Sequence, residues 1–225
     1  MSALDEIKVL LEKCDERDRR EIFALLRQTI PVHPFEASIN AKAEVILEAL
    51  ARAPDLTIRG IRGIIGEATF AIEVAGKFEG WKDVTPVGNH SYDTALADKI
   101  GTVRVQVKMQ RRVKFKPLIR DGAGIIEVQR TRTGTKGGKA TRPYHFGEFD
   151  ILAACMEPSH GKWNSFLYIP GRWLLPRPED RKLIKIMQPV PLEPDAAWTA
   201  DFNEAVKRLR GGKPRPQIRP EKEKK

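Results

Sequence analysis

Asp93 and the pair Gln106-Val-Lys108 are the side chains whose spacing could perform one piece of chemistry together. Val103, Val105 and Val107 alternate with Arg104, Gln106 and Lys108, the period of a strand, so Gln106 and Lys108 point to the same side. A turn candidate, Asp98-Lys-Ile-Gly101, separates this strand from another reading Tyr92 to Asp98, and pairing of the two brings Asp93 alongside. A carboxylate, an amide oxygen and an ammonium in one place suit the hydrolysis of a phosphodiester. At neutral pH that reaction needs a metal to activate water and offset charge on the phosphate. Hard cations such as magnesium take carboxylate and carbonyl oxygens and keep several waters. Asp93 would supply a carboxylate and Gln106 a neutral oxygen ligand. Lys108 would orient or help deprotonate the attacking water and stabilise the transition state. One carboxylate is thin for magnesium, and Glu67, in a helical stretch just before the sheet, is the second candidate.

Two other readings stay open. The alternation also describes a surface hairpin whose Gln106 and Lys108 are its solvated face, with Asp93 in a turn. A site could instead form at Asp121 and Glu127-Val-Gln129, although a DNA-contacting hairpin is a better use of that stretch.

The elements that must position these residues follow from apolar spacing. Residues 4–28 carry Leu4, Ile7, Leu10, Leu11 and Cys14, then Ile22, Phe23, Leu25 and Leu26, which predicts two short helices with Asp15 capping the second. Prolines 31 and 34 break the pattern, a helix follows over about 41–51, and Pro54 closes it. Asp55 or Thr57 caps the next helix, which carries Glu67 and ends near Gly80. Strands are then expected at Val84 to Val87, Tyr92 to Asp98, Thr102 to Met109 and Ile125 to Arg130. Phe149 to Cys155 and Phe166 to Ile169 read as buried strands, and a late helix runs over about 200–209. The layout is a helical N-terminal region (1–55), a main domain (56–210) with a basic insertion (111–148), and a basic tail (211–225) too poor in apolar residues to fold.

The order of helix with Glu67, strand, strand beginning at Asp93 and Gln-x-Lys strand resembles the PD-(D/E)xK nuclease superfamily, in the variant with Gln in place of the acidic residue. Gly66-Glu67, Gly80-Trp81, Tyr92-Asp93 and Val105-Gln106-Val-Lys108 look like its Holliday-junction-resolvase and restriction-endonuclease branches. The likeness covers about residues 63–110, and 149–170 more weakly. It implies an α/β fold, a restriction-endonuclease-like mixed sheet flanked by helices, with Glu67, Asp93, Gln106 and Lys108 as the catalytic cluster. It further implies magnesium held by Glu67, Asp93 and Gln106. Tyr92 stands where the family pattern has proline, and the stretch between Lys108 and Phe149 shows no helical period where the family core has a helix.

The net charge of +10 is concentrated in two places. From Arg111 to His145 there are ten Lys/Arg against two Asp/Glu, and from Lys207 to Lys225 nine against two, while the rest nets −5. Such concentration suits a polyanion, because each neutralised phosphate releases counterions. Double-stranded DNA is the expected partner, with Arg111, Arg112, Lys114, Arg130, Arg132, Lys136, Lys139 and Arg142 as candidate contacts. Gly134 to Ala140 lacks the first glycine and the closing Ser/Thr of a phosphate-binding loop, so no nucleotide cofactor is expected. Two distant cysteines, no signal peptide and no long apolar run predict a cytoplasmic protein with no membrane contact.

Size and layout favour a type II restriction endonuclease that cuts both strands as a homodimer. There is no motor and no methyltransferase motif, and a basic insertion sits beside the site. The alternatives are a structure-specific or homing-type nuclease, and a non-catalytic DNA-binding protein.

Overall fold

In a computed structural model the chain divides into two units, residues up to Ile58 and residues from Arg59 onward. The structure describes residues 2–31, 33–130, 135–136, 139–140 and 142–216, with 135–136 and 139–140 described by backbone pairing alone.

The first unit is helical. Helix α1 (Ala3–Lys13) starts at Ser2, whose hydroxyl accepts from Asp5 N while Asp5 accepts in return from Ser2 N, a reciprocal capping box. Asp15 caps α2 (Glu16–Leu26), and two further helices follow, α3 (Phe35–Ile39) and α4 (Ala43–Ala51). Arg27 joins these elements through ion pairs to Glu36 at 2.6 Å and Glu44 at 2.9 Å.

Helix α5 (Asp55–Thr69) carries Glu67 and continues as a π turn (Phe70–Val74) and a 3-10 turn (Ala75–Lys77). The chain then enters β1 (Lys82–Asp83), β2 (Thr94–Ala97) and β3 (Thr102–Met109). The expected strand at 84–87 is absent. The pairing residues are Lys82 and Asp83, opposite Ala97 and Leu96, while Val87 is fully exposed. Apolar residues alone misled there, since Val84 and Val87 are both exposed. The Asp98–Gly101 turn forms as read: Asp98 Oδ1 accepts from Ile100 N and Gly101 N, and β2 and β3 pair antiparallel across it.

The basic insertion is built from short hairpins and contains no helix among the described residues. Its strands are β4 (Arg112–Val113), β5 (Lys116–Pro117), β6 (Ile119–Arg120), β7 (Ala123–Glu127), β8 (Thr135–Lys136) and β9 (Lys139–Ala140). Strand β7 starts two residues before the expected Ile125 and ends at Glu127. The β6–β7 turn uses Asp121 (φ 49°) and Gly122 (φ 73°), an Asp-Gly pair suited to two left-handed residues.

Strand β10 (Ile151–Cys155) follows, then a single helical turn α6 (Glu157–His160) and β11 (Phe166–Pro170). The last elements are β12 (Met187–Val190), which the sequence reading lacked, and α7 (Phe202–Arg210). The main sheet has the order β1-β2-β3-β10-β11, and a second sheet has the order β12-β7-β6. Strands β3 and β10 are parallel, and the other pairs in the main sheet are antiparallel, so the sheet is mixed.

Strand β10 is buried throughout, as its unbroken apolar run requires. Ile151, Ala153 and Cys155 join Val103, Val105 and Val107 under Phe70 and Phe202, Ala205 and Val206 of α7. Leu152 and Ala154 face the other way, into a core with Ile126, Val128, Tyr144, Trp173, Val190 and Trp198. The main sheet is therefore covered by helical residues on one face and by the second sheet and aromatic loops on the other. Just after α7, Lys213 O accepts from Trp173 Nε1 at 2.9 Å. Residues 217–225 lie outside the described residues.

Candidate active site

The valines of β3 turn into the helical core, so Gln106 and Lys108 must face the opposite side of the sheet. The hairpin register sets Thr94 opposite Val105, and Asp93, just outside the ladder, donates its backbone N–H to Val105 O at 3.0 Å. Its side chain reaches across: Asp93 Oδ2 accepts from Val107 N at 2.7 Å and from Gln106 Nε2. Gln106 is 1% exposed, which sets aside the solvated-hairpin reading. A solvated face would leave this amide in water.

Both ends of the Gln106 amide are committed. Nε2 donates to Asp93 and, at 3.2 Å, to Val107 O, and Oε1 accepts from the Tyr144 hydroxyl at 3.0 Å. Turning the amide over would set its oxygen against two acceptors, so this orientation follows from the neighbours. The oxygen expected to hold a cation therefore points at Tyr144. Tyr144 was absent from the sequence reading, because a lone tyrosine in a basic stretch carries no local signal of its partner 38 residues away.

Glu67 arrives from α5, where the neighbouring Gly66 faces Met109 and Cys155 at the C-terminal ends of β3 and β10. Its carboxyl is pushed up to about 7, first by burial and then by the charge of Asp93, with Lys108 opposing. Burial also raises Asp93, against Lys108, the Val107 N–H and Gln106. The Lys108 ammonium stands 5.9 Å from the centroid of the Tyr144 ring, and the Arg130 guanidinium stands 5.1 Å from it. The four expected residues, Glu67, Asp93, Gln106 and Lys108, thus form one electrostatically coupled group.

Two half-buried carboxylates, both raised by burial and Glu67 also by the charge of Asp93, suit a hard cation when set beside an ammonium. Among the described residues no three His, Cys, Asp or Glu side chains gather to hold a metal. A cation here would rest on Glu67 and Asp93, with water and substrate oxygens filling its shell, as magnesium tolerates. The competing site does not assemble. Asp121 lies exposed in the β6–β7 turn, and Glu127 at the far end of β7 is taken by Arg111 and Gln129.

Several candidate DNA contacts are ion-paired. Arg111 meets Glu127, Arg130 meets Glu148 and Arg112 meets both oxygens of Glu157 at 2.9 and 3.0 Å. Glu157 also takes Arg62, whose guanidinium lies 4.9 Å from the Trp163 ring centroid. Arg142 Nε donates to Arg130 O at 3.3 Å, and Lys114 is exposed. Arg132 and the side chains of Lys136 and Lys139 lie outside the described residues. Asp150, read as a structural hydrogen-bonding residue, accepts from Arg104 Nε, Nη2 and backbone N at 2.8 to 2.9 Å.

Among the described residues no helix is long and apolar enough to cross a membrane. No family model and no curated protein matches the chain. Among solved structures, a bacterial homing endonuclease, I-Ssp6803I, aligns at 29% identity over 50% of this chain and 68% of its own, with a TM-score of 0.35. At that score no residue role passes from one protein to the other.

Proposed function

We propose that this protein is a magnesium-dependent DNA endonuclease, and that it acts as a type II restriction enzyme. The observation that carries this reading is the buried Gln106 amide, which holds the Asp93 carboxylate beside Glu67 and Lys108 on the central strand. Hairpins, strand faces and surface charge do not explain why two carboxylates and a lysine share a partly desolvated place. Hydrolysis of a phosphodiester does.

Bound there, magnesium would supply an activated water and offset the charge on the phosphate. Glu67 and Asp93 would hold the cation. Lys108, whose charge already lowers the proton affinity of both, orients the attacking water and meets the negative charge that builds on phosphorus-bound oxygens. Gln106 fixes Asp93, and it becomes a ligand itself only if its amide turns over. The Tyr144 hydroxyl can accept as well as donate, so it satisfies either orientation.

The restriction reading draws on layout: hairpins rich in Lys and Arg follow directly on the Gln-x-Lys strand, where base edges could be read. A homodimer would match a palindromic site and cut both strands.

Unmethylated phage DNA is incubated with the purified protein in magnesium or in EDTA, beside Lys108→Ala. Discrete fragments that need magnesium and vanish in the variant are expected. A smear with the same dependences would keep the chemistry and remove the restriction role. Binding without cleavage of linear or branched DNA in both proteins would make this a DNA-binding module.

A further inference from the structure

The β4–β5 hairpin has a tip that ordinary folding does not explain. Its two turn residues, Lys114 (φ 49°) and Phe115 (φ 65°), are both left-handed, a conformation that L side chains other than Asn, Asp and Gly rarely hold. The neighbouring β6–β7 hairpin meets the same demand with Asp121-Gly122, the usual solution. Phe115 nonetheless occupies the strained place and is 79% exposed, so burial does not compensate for it. Strain held without a packing reason points to a role outside the fold.

The surroundings say what that role is. Lys114 and Lys116, both exposed, flank the ring, and no acidic residue occurs between Asp98 and Asp121. The base of the hairpin is fixed: Leu118 N donates to Arg111 O at 2.8 Å, and Arg112 is anchored on Glu157. Phe115 is seven residues beyond Lys108. Even a fully extended chain puts it within about 25 Å of that lysine. That is less than one turn of duplex, about 34 Å.

We infer that the β4–β5 hairpin is a DNA-contacting finger whose Phe115 inserts into the base stack while Lys114 and Lys116 grip the flanking phosphates. A rigid apolar wedge between cations is what unstacking a base step requires, and the bend it produces lets more of the duplex contact the protein. This rests on the nuclease reading and adds to it a named means of deforming the substrate.

The test uses the full chain with calcium in place of magnesium, so that binding proceeds without cutting, on phage DNA fragments and a duplex of about 30 base pairs. Permanganate, which oxidises unstacked thymines, reads the wedge without knowledge of the recognition sequence. Wild type should give hyper-reactive thymines. Phe115→Ala should lose them and bind about tenfold more weakly, and Phe115→Leu should keep part of both. The double variant Lys114→Ala, Lys116→Ala should keep the reactive thymines at saturation. Its log affinity should fall less steeply with log salt, by about two units of slope. The side chain is exposed, so matching thermal melts should show all variants folded. A Phe115→Ala protein with wild-type affinity and an unchanged permanganate pattern overturns the inference while leaving an active nuclease in place. A wild-type protein that neither binds nor cuts DNA overturns the nuclease reading, and this one with it.

Discussion

The Tyr144 hydroxyl donates to Gln106 Oε1 at 3.0 Å, on the far side of the amide whose N–H groups face Asp93. The acceptors Asp93 and Val107 O set the orientation, and Tyr144 satisfies the oxygen that this orientation leaves buried. Tyr144→Phe leaves a buried carbonyl oxygen without its donor, at a cost of roughly 1–3 kcal/mol. Urea denaturation should register that loss. Isotope-edited spectra of the Gln106 side-chain amide should move as well, because its oxygen would lose its hydrogen bond. An unchanged amide signal would mean that Asp93 and Val107 hold the amide unaided.

The pH dependence follows from Glu67. The unfolded chain releases this proton near the ordinary 4.5, whereas the folded protein holds it to about 7. Between those values the folded state binds more protons, so this group's contribution to stability is greatest below the window and falls as pH rises through it. Asp93, also raised, acts in the same direction. In EDTA, the melting temperature of the wild type relative to Glu67→Gln should therefore decline from pH 5 to pH 7. A difference that is flat or rises with pH would show that Glu67 is not held in its acid form.

A cation that gathers on Glu67 and Asp93 must stabilise the folded chain, because it binds there and not to the unfolded one. At a hundredfold excess over its dissociation constant the gain is about 2.7 kcal/mol. Magnesium or calcium should raise the melting temperature of the wild type, more at pH 8 than at pH 5.5, where Glu67 must first give up its proton. Asp93→Asn should respond weakly. Equal responses from the two proteins would place the cation elsewhere.

Asp150 provides a contrast close by in sequence. It accepts three hydrogen bonds from Arg104, two residues before Gln106 on the same strand, and none from the coupled group. Asp150→Ala should cost about 2 kcal/mol, as hydrogen bonds between charged groups do. Cleavage per folded molecule should stay near wild type, checked by active-site titration below the melting range.

The legible parts of the sequence were those where a local pattern and a long-range contact coincide. Val103, Val105 and Val107 alternate because one face of β3 is buried, and Asp15 caps α2 because its side chain bonds within its own turn. Val84 and Val87 carry the same letters without a covering surface, so no strand forms through them. Strand β12 was hidden by Pro189 and by Gln188, a buried amide satisfied by Leu175 and Lys185, which only the folded chain brings near. The partners of the basic segment were hidden in a related way. Arg111, Arg112 and Arg130 look free in sequence, yet Glu127, Glu157 and Glu148 answer them from 16, 45 and 18 residues away. Asp93, Gln106 and Lys108 could be read together because one hairpin joins them, and Glu67 only through the order of helix and strands. Tyr144, which completes the group, comes from the far end of the insertion.

Strand β3 is third of five, bonded to β2 on one side and β10 on the other. The β2 ladder ends at Val105, while Gln106 and Lys108 pair with Leu152 and Ala154 of the buried β10, so their amides should exchange hydrogen for deuterium only as slowly as that pair opens. Heat should then fail to silence the site ahead of the fold. Loss of activity and loss of structure are expected to share one temperature, with no folded but dead form accumulating on the way.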